Sequence, residues 1–353
     1  MCTISIVKSE NNRRPTQKGL LMGKAALSKQ DSEGEGRSLT SKTEVLADLE
    51  QVVKAFVEKH ESKRELWFSS EILSVDEGVV NEKEVEELRD RARGIPDSAR
   101  VALALNVLTE EGLPHFHRLV AENLGSRTYW SQWNNLWTAE EDRHGNILRD
   151  YIRDSRLLNF WALEKLQFEY LRSGFNPDWG GDPYKIFVYT TCQEKATQIS
   201  HLNTGNILAA QEPLLDSITR RVSQDEARHY AFYMNVFKEI IERDPNEALA
   251  SAASIMPSID MPGISIANFN DYADVVRRSG IYGPRDYKRI IEQLLESWKI
   301  ETLTCLNELG RKAQEKIMSI PDRLEKVANY IDSKRTAKSF RFEIVFGRIL
   351  EMA

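Results

Sequence analysis

The feature that most constrains this chain is a repeated spacing of acids and histidines. Glu141-Asp142-Arg143-His144 and Glu226-Ala227-Arg228-His229 each place a carboxylate and an imidazole three residues apart within helix-periodic sequence. On an α-helix those two side chains leave the same face. Glu110 lies 31 residues before Glu141, and Glu194 lies 32 before Glu226. The chain therefore reads Glu, Glu-x-x-His and then repeats the series with a period of 84 to 85 residues. One Glu-x-x-His decorates many solvated helices, but two in register, each with a matching upstream glutamate, form the ligand pattern of a carboxylate-bridged dimetal site inside a four-helix bundle.

Metal is required on electrostatic grounds as well. Four carboxylates crowded into an apolar bundle repel one another, and each costs several kcal/mol to desolvate. Two divalent cations balance them and leave one imidazole per metal. Hard oxygen donors with imidazole suit iron or manganese better than zinc, which favours Cys and His in tetrahedral sites.

The remaining composition limits the function classes. The chain has 353 residues with 41% hydrophobic content, enough to fill a large helical core. No uninterrupted apolar run reaches the length of a membrane span. A net charge of −6 argues against a general nucleic-acid binder, although the pairs Arg220-Arg221 and Arg277-Arg278 could receive an acidic protein. Cys2, Cys192 and Cys305 are odd in number and lack metal-finger spacing, as expected in a reducing compartment.

Residues 1–40 lack apolar periodicity and read as a flexible leader. Glu10, Asp31, Glu33 and Glu35 are unlike an organelle-targeting peptide, which is poor in acids, so a cytoplasmic location is expected, with the plastid stroma as the alternative. Helical order starts after Ser41, with Val45, Leu49, Val52, Val53 and Phe56 on one face. Trp67 and Phe68 fall in a loop. Asp97 is a good N-cap for the apolar helix that carries Glu110, and Pro114 should kink that helix. A helix over about 128–153 carries Trp130, Trp133 and Trp137 ahead of Glu141, a stripe suited to core packing or to electron transfer and substrate contact. Another runs from Ser155 to Arg172. The helices opened by Tyr184 and Pro213 carry the second half of the site, and Pro284 should open a long amphipathic helix ending before Pro321. No strand alternation is evident. The expected fold is all-α, a ferritin-like four-helix core with additional long helices over residues 41–333 and an apolar tail at 334–353 packed on the body.

With these blocks in hand the chain resembles the soluble acyl-acyl-carrier-protein desaturases, the stearoyl type, over roughly residues 60–330. The resemblance rests on Thr109-Glu110-Glu111-Gly112-Leu113-Pro114, on Trp137-Thr138-Ala139-Glu140-Glu141-Asp142-Arg143-His144-Gly145, on Gln193-Glu194-Lys195-Ala196-Thr197 with Ser200-His201, on Asp225-Glu226-Ala227-Arg228-His229, and on Trp298-Lys299. It implies that Glu110, Glu141, His144, Glu194, Glu226 and His229 bind two irons. The echo between the halves selects Glu141 over Glu140, since both Glu-x-x-His pairs then have an acid directly before the glutamate, Glu140 in one and Asp225 in the other. The resemblance sets Thr197 beside the oxygen pocket and assigns Asp225, Trp137 and Trp67 to electron entry. It also implies an acyl tunnel lined by Ile186, Phe187 and Leu119. Ile186 stands where the family usually has glycine, which puts chain length in question. His115 and His117 are candidate tunnel or surface residues and weaker candidate ligands.

The activity so implied is O2-dependent removal of two hydrogens from adjacent methylenes of an acyl chain carried on acyl carrier protein, with electrons from a ferredoxin-type donor, in a homodimer. Arg220, Arg221, Arg228 and Lys238 are candidates for a basic rim that meets the carrier. Hydroxylation or N-oxygenation of a carrier-bound intermediate is the rival enzyme reading. A non-catalytic iron-binding bundle is the other rival, disfavoured by chain length and by Trp67.

Overall fold

The computed structural model describes residues 41–73, 82–125, 128–177, 179, 181–259 and 262–353. The expected leader, residues 1–40, lies outside them. Ser41 caps α1 (Lys42–Asp48): its hydroxyl accepts from the Glu44 amide at 3.3 Å, and its own amide donates to the Glu44 carboxylate at 2.7 Å. A turn at Leu49 leads into α2 (Glu50–Lys63), with Val45, Leu49, Val53 and Val57 buried along one stripe. After the extended segment bearing Trp67 come α3 (Ser69–Ile72), α4 (Glu82–Arg93) and α5 (Asp97–Glu110). Asp97 is the first helical residue and not the expected N-cap. Its carboxylate is drawn to Arg348 at 3.0 Å and Arg100 at 3.4 Å.

Pro114 gives a break, not the expected kink. The Gly112 amide bonds the Thr109 carbonyl at 3.1 Å, and a new helix, α6 (Leu113–Leu124), begins with the proline in its first turn, where a missing amide costs nothing. Thr128 caps α7 (Tyr129–Ser155). Arg156 adopts φ 57° and stops it, so α8 (Phe160–Ser173) starts at the Asn159 cap, later than Ser155. Then α9 (Pro183–Leu208) and α10 (Pro213–Arg243), of 26 and 31 residues, pack side by side across a short turn. Gly205 permits their approach, since a Cβ there would sit 2.5 Å from the Thr219 hydroxyl.

The chain continues through α11 (Pro245–Ile255), a 3-10 turn at Pro262–Ser265, and α12 (Phe269–Arg278). In place of one helix ending before Pro321 there are two, α13 (Pro284–Ser297) and α14 (Glu308–Met318), and α15 (Ile320–Ser333) follows them. Lys299 and Cys305, at φ 52° and 60°, turn the chain between the first two. Pro321 sits inside the first turn of α15, which again suits its missing amide. Among the described residues the fold is all-α apart from one antiparallel ribbon, β1 (Lys338–Arg341) with β2 (Ile349–Met352), in which Phe340 faces Leu350. Sequence alternation did not announce it, because only Phe340 of β1 is buried. Phe342, Ile344 and Val345 are buried beneath the ribbon, while Phe346 and Ile349 are 54% and 64% exposed. No helix among the described residues is long and apolar enough to cross a membrane.

Candidate metal centre

Four helices, α5, α7, α9 and α10, each turn one or two acids into the core, among apolar side chains and a smaller number of buried polar ones such as Asn106, Thr197 and Ser200. Glu110 ends α5, Glu141 and His144 lie one turn apart on α7, Glu194 is mid-helix on α9, and Glu226 and His229 repeat the α7 arrangement on α10. All six are buried. Their polar atoms fall into two overlapping groups, Glu110, Glu141, His144 and Glu226 in one and Glu141, Glu194, Glu226 and His229 in the other, with the atoms of each group within 4.8 Å of one another. Glu141 and Glu226 belong to both groups, in the position of bridges. Glu110 and Glu194 belong to one each, in the position of terminal donors.

Inside the cradle that these groups form, acids and imidazoles crowd one another. His144 Nδ1 stands 3.2 Å from Glu226 and 3.5 Å from Glu141, and His229 Nδ1 stands 2.7 Å from Glu141 and 3.6 Å from Glu194. Yet both Nδ1 atoms and one oxygen each of Glu141, Glu194 and Glu226 have no hydrogen-bond partner despite complete burial. Such atoms each cost about 1–3 kcal/mol when left unsatisfied, more when charged. Here they converge on the same space, and two hard divalent cations fit that donor set.

The same strain is visible in the proton affinities. Burial pushes the Glu194 carboxyl up, and the neighbouring Glu226 and Glu141 carboxylates push it further, well above its ordinary range. Burial also pushes Glu141 up, but the His144 and His229 imidazoles outweigh it and hold this carboxyl far below its usual range. Burial lowers the affinity of both imidazoles, and the surrounding carboxylates more than reverse that.

Outside the cradle the helices brace each other crosswise. The acids directly before Glu141 and Glu226 each hold the histidine of the opposite half: Glu140 Oε2 faces His229 Nε2 at 2.8 Å, and Asp225 Oδ2 faces His144 Nε2 at 3.2 Å. This turns each Nδ1 inward, the usual role of an outer carboxylate beside a metal-binding histidine. Trp67 Nε1 donates to the same Asp225 oxygen at 2.9 Å, its ring lies parallel to His144 at 6.1 Å, and the Arg143 guanidinium covers its outer face. Arg228 also pairs with Asp225.

The structure thus joins Trp67, Asp225 and His144 into one chain of contacts. Trp137 stands apart from it, edge-on to Tyr233 at 6.0 Å. Thr197 donates from the edge of the cradle, with Glu226 Oε2 at 3.0 Å and the carbonyls of Gln193 and Glu194 at 3.1 and 3.0 Å competing for its one proton. Ile186, Phe187 and Leu119 are all buried, Phe187 against Trp130 at 5.3 Å. His117 meets the Thr138 hydroxyl at 2.7 Å, His115 stands edge-on to Tyr170, and neither belongs to either group of the cradle. Of the rim cations, Arg228 is turned inward onto Asp225, Arg220 pairs with Asp216 at 2.7 Å and Arg221 reaches Glu65 at 3.8 Å.

Sequence reasoning gave no role to three residues found here. His201 Nε2 meets Glu110 Oε1 at 2.8 Å, and His60 and Arg64 both contact Glu140. His201 lies seven residues after Glu194, two turns along the same face, and that spacing could have found it. His60 sits in Glu58-Lys59-His60-Glu61, which reads as a solvated helix end, and only folding brings it to the core.

The sequence pattern of the fatty acid desaturase family matches residues 41–346. The chain is 33% identical over 299 residues to stearoyl-[acyl-carrier-protein] 9-desaturase 5, chloroplastic, of Arabidopsis thaliana, covering 80% of this chain and 76% of that protein. It is 34% identical over 267 residues to the stearoyl-[acyl-carrier-protein] 9-desaturase of Gossypium hirsutum, covering 71% and 67%. It is also 33% identical over 282 residues to palmitoyl-[acyl-carrier-protein] 4-desaturase 3 of Ophrys sphegodes, covering 75% and 71%. The X-ray structure of the putative acyl-ACP desaturase DesA2 from Mycobacterium tuberculosis H37Rv matches with a TM-score of 0.53 at 20% identity, over 76% of this chain and 98% of that one, a likeness of fold.

Proposed function

The chain belongs to the fatty acid desaturase family, and from that premise we propose that it is an acyl-[acyl-carrier-protein] desaturase holding two irons. The observation that carries the reading is the pair of overlapping acid and histidine groups sharing Glu141 and Glu226. When bound, the irons supply the reduction of O2 that oxidises two adjacent methylenes to an alkene. Two electrons and two protons from outside complete the balance, so that O2 leaves as two waters. The protein's residues do the rest. Glu110, Glu141, His144 and Glu226 would hold one iron and Glu141, Glu194, Glu226 and His229 the other, with Glu141 and Glu226 common to both groups. Glu140 and Asp225 fix the two rings. The Thr197 hydroxyl offers one proton beside Glu226, and the apolar core around the cradle excludes water from the oxidising site.

Electrons enter in this reading from a ferredoxin-type donor through Trp67, Asp225 and His144, the contact chain that reaches from an outer segment to the cradle. Residues 41–333 act as the catalytic domain, with 334–353 covering its flank, and the enzyme works as a homodimer. Cys192 and Cys305 are both free thiols, which supports a reducing compartment, the cytoplasm, with the plastid stroma of the chloroplastic relatives as the alternative. Hydroxylation, N-oxygenation and iron storage are not favoured, because the relatives are named for desaturation.

The test is incubation of iron-loaded protein with reductant, O2 and a series of acyl carriers, with released chains analysed by mass spectrometry. Desaturated product is expected; hydroxylated product alone would overturn the reading. An Ile186→Gly variant run in parallel should shift preference toward longer chains if Ile186 closes the tunnel floor. An unchanged length profile would remove it from that role.

A further inference from the structure

The two ends of the cradle follow one plan with different parts. At the His144 end the outer acid, Asp225, receives Trp67 Nε1 at 2.9 Å. At the His229 end the outer acid is Glu140. The oxygen that faces His229 also faces His60 Nε2 at 2.9 Å, and the other oxygen accepts from Arg64 Nη1 at 3.2 Å. His60 therefore stands where Trp67 stands in the other half. It is buried, with its ring edge-on to Trp133 at 5.0 Å and nearly parallel to His229 at 5.9 Å. His60 and Arg64 lie four positions apart at the end of α2 and reach the same carboxylate from one helix face.

A carboxylate oxygen has two lone-pair directions, and Glu140 Oε2 fills both with imidazole N–H groups. With both rings donating from Nε2, His229 Nδ1 is turned toward Glu141 and Glu194, where it would offer its lone pair to a metal in place of a proton. Without the His60 donor, Glu140 keeps only Arg64 on its outer side and is free to swing toward it. The ring of His229 would then lose the contact that sets its rotation and its tautomer.

We propose that His60 is a positioning residue for one half of the metal centre: through Glu140 it fixes His229 with Nδ1 inward, so that metal binding at that half depends on α2. The inference rests on the two-iron reading above. It also gives the halves separate controls, His60 and Arg64 for one iron, Trp67 and Arg143 for the other.

The test uses full-length protein stripped of metal and titrated with ferrous iron-57, read by iron bound per chain and by Mössbauer spectroscopy. Wild type should bind two irons tightly. His60→Phe, which keeps the ring and removes the donor, should hold one iron as before and bind the other about 10–100-fold more weakly, the usual effect of removing an outer partner of a metal ligand. Only one quadrupole doublet should change. His60→Gln retains an N–H and should restore most of the loss. Trp67→Phe should disturb the other doublet. The inference is overturned if folded His60→Phe binds both irons with unchanged affinity and spectrum, if it weakens both alike, or if His60→Gln is no better than His60→Phe. Should the phenylalanine variant not fold, His60→Leu makes the same deletion. Wild type that binds fewer than two irons would instead sink the two-iron reading, and this inference with it.

Discussion

The metal cradle and the arginine knot on α12 both gather charge out of bulk water, and they settle it in opposite ways. On α12 the Asp274 carboxylate accepts from Arg277 and from Arg278 Nε at 3.0 Å, with Lys338 of β1 at 3.4 Å. Arg278 also donates to the carbonyls of Thr336 and Met352, at 2.9 and 3.4 Å, tying the ribbon down. Each charge there has an opposite neighbour. In the cradle, by contrast, buried oxygens and both inner histidine nitrogens stay unpartnered. A knot of the first kind supports the fold by itself, whereas a cradle of the second kind costs stability until cations enter it.

The largest expected effect follows from the shared position of Glu226. Glu226→Ala removes a donor from both halves, and since even outer partners of metal ligands are worth about 10–100-fold in affinity, iron binding and turnover should both fall by more than that. Full iron content with normal turnover in this variant would show that Glu226 is only packed there. Thr197→Val is milder. It keeps shape and deletes one hydrogen bond to a charged group, so iron content should hold while O2-dependent turnover falls about 10-fold. Turnover at the wild-type rate, with no peroxide released, would make Thr197 a packing residue.

Much of this contrast could be read in the sequence before any coordinates, and the reason is chemical. Metal ligation demands fixed residue types at helical spacing, so Glu110, Glu141 with His144, Glu194, and Glu226 with His229 are visible as a repeat. The all-α class and several helix starts were equally plain, as at Pro213 and Pro284, each in the first turn of its helix. The cross-brace was not, because nothing local says that Glu140 on α7 must hold a histidine on α10. His60 was hidden for the same reason. Pro114 was misjudged because a helix interrupted by proline and a helix begun by it look alike until the neighbouring turn is known. The ribbon escaped notice since two four-residue strands give too few alternations to see.

The cradle can be turned toward the behaviour of the knot by neutralising one acid. A carboxyl whose folded affinity for protons is raised costs stability at every pH above its unfolded value, and Glu194 is raised by burial, Glu226 and Glu141 together. Glu194→Gln removes that cost with little change of shape. The metal-free variant should therefore melt higher than metal-free wild type at neutral pH, while binding iron less well. A lower melting temperature for the metal-free variant would mean that the cradle is already satisfied without cations and that the contrast with α12 fails.

The smallest effect is expected at the knot itself, and its sign is the reverse. Burial pushes the Asp274 carboxyl up, but hydrogen bonds from Arg277 and Arg278 outweigh burial and hold it below its ordinary range. An acid lowered in this way contributes stability above its unfolded value of about 3.9 and loses it as pH falls through the folded value. Asp274→Asn should therefore cost little at neutral pH, about 1 kcal/mol or less for a pair still partly open to water. That difference from wild type should narrow as both are melted at pH falling below about 3.9, because wild type then begins to lose the same charge. High salt should shrink it as well, by screening a partly open pair, and should leave the fully buried cradle unchanged. Melting curves of the two metal-free proteins over that pH range decide the matter. A difference that persists undiminished in acid would mean that Asp274 holds the ribbon through shape and neutral hydrogen bonds, not through charge.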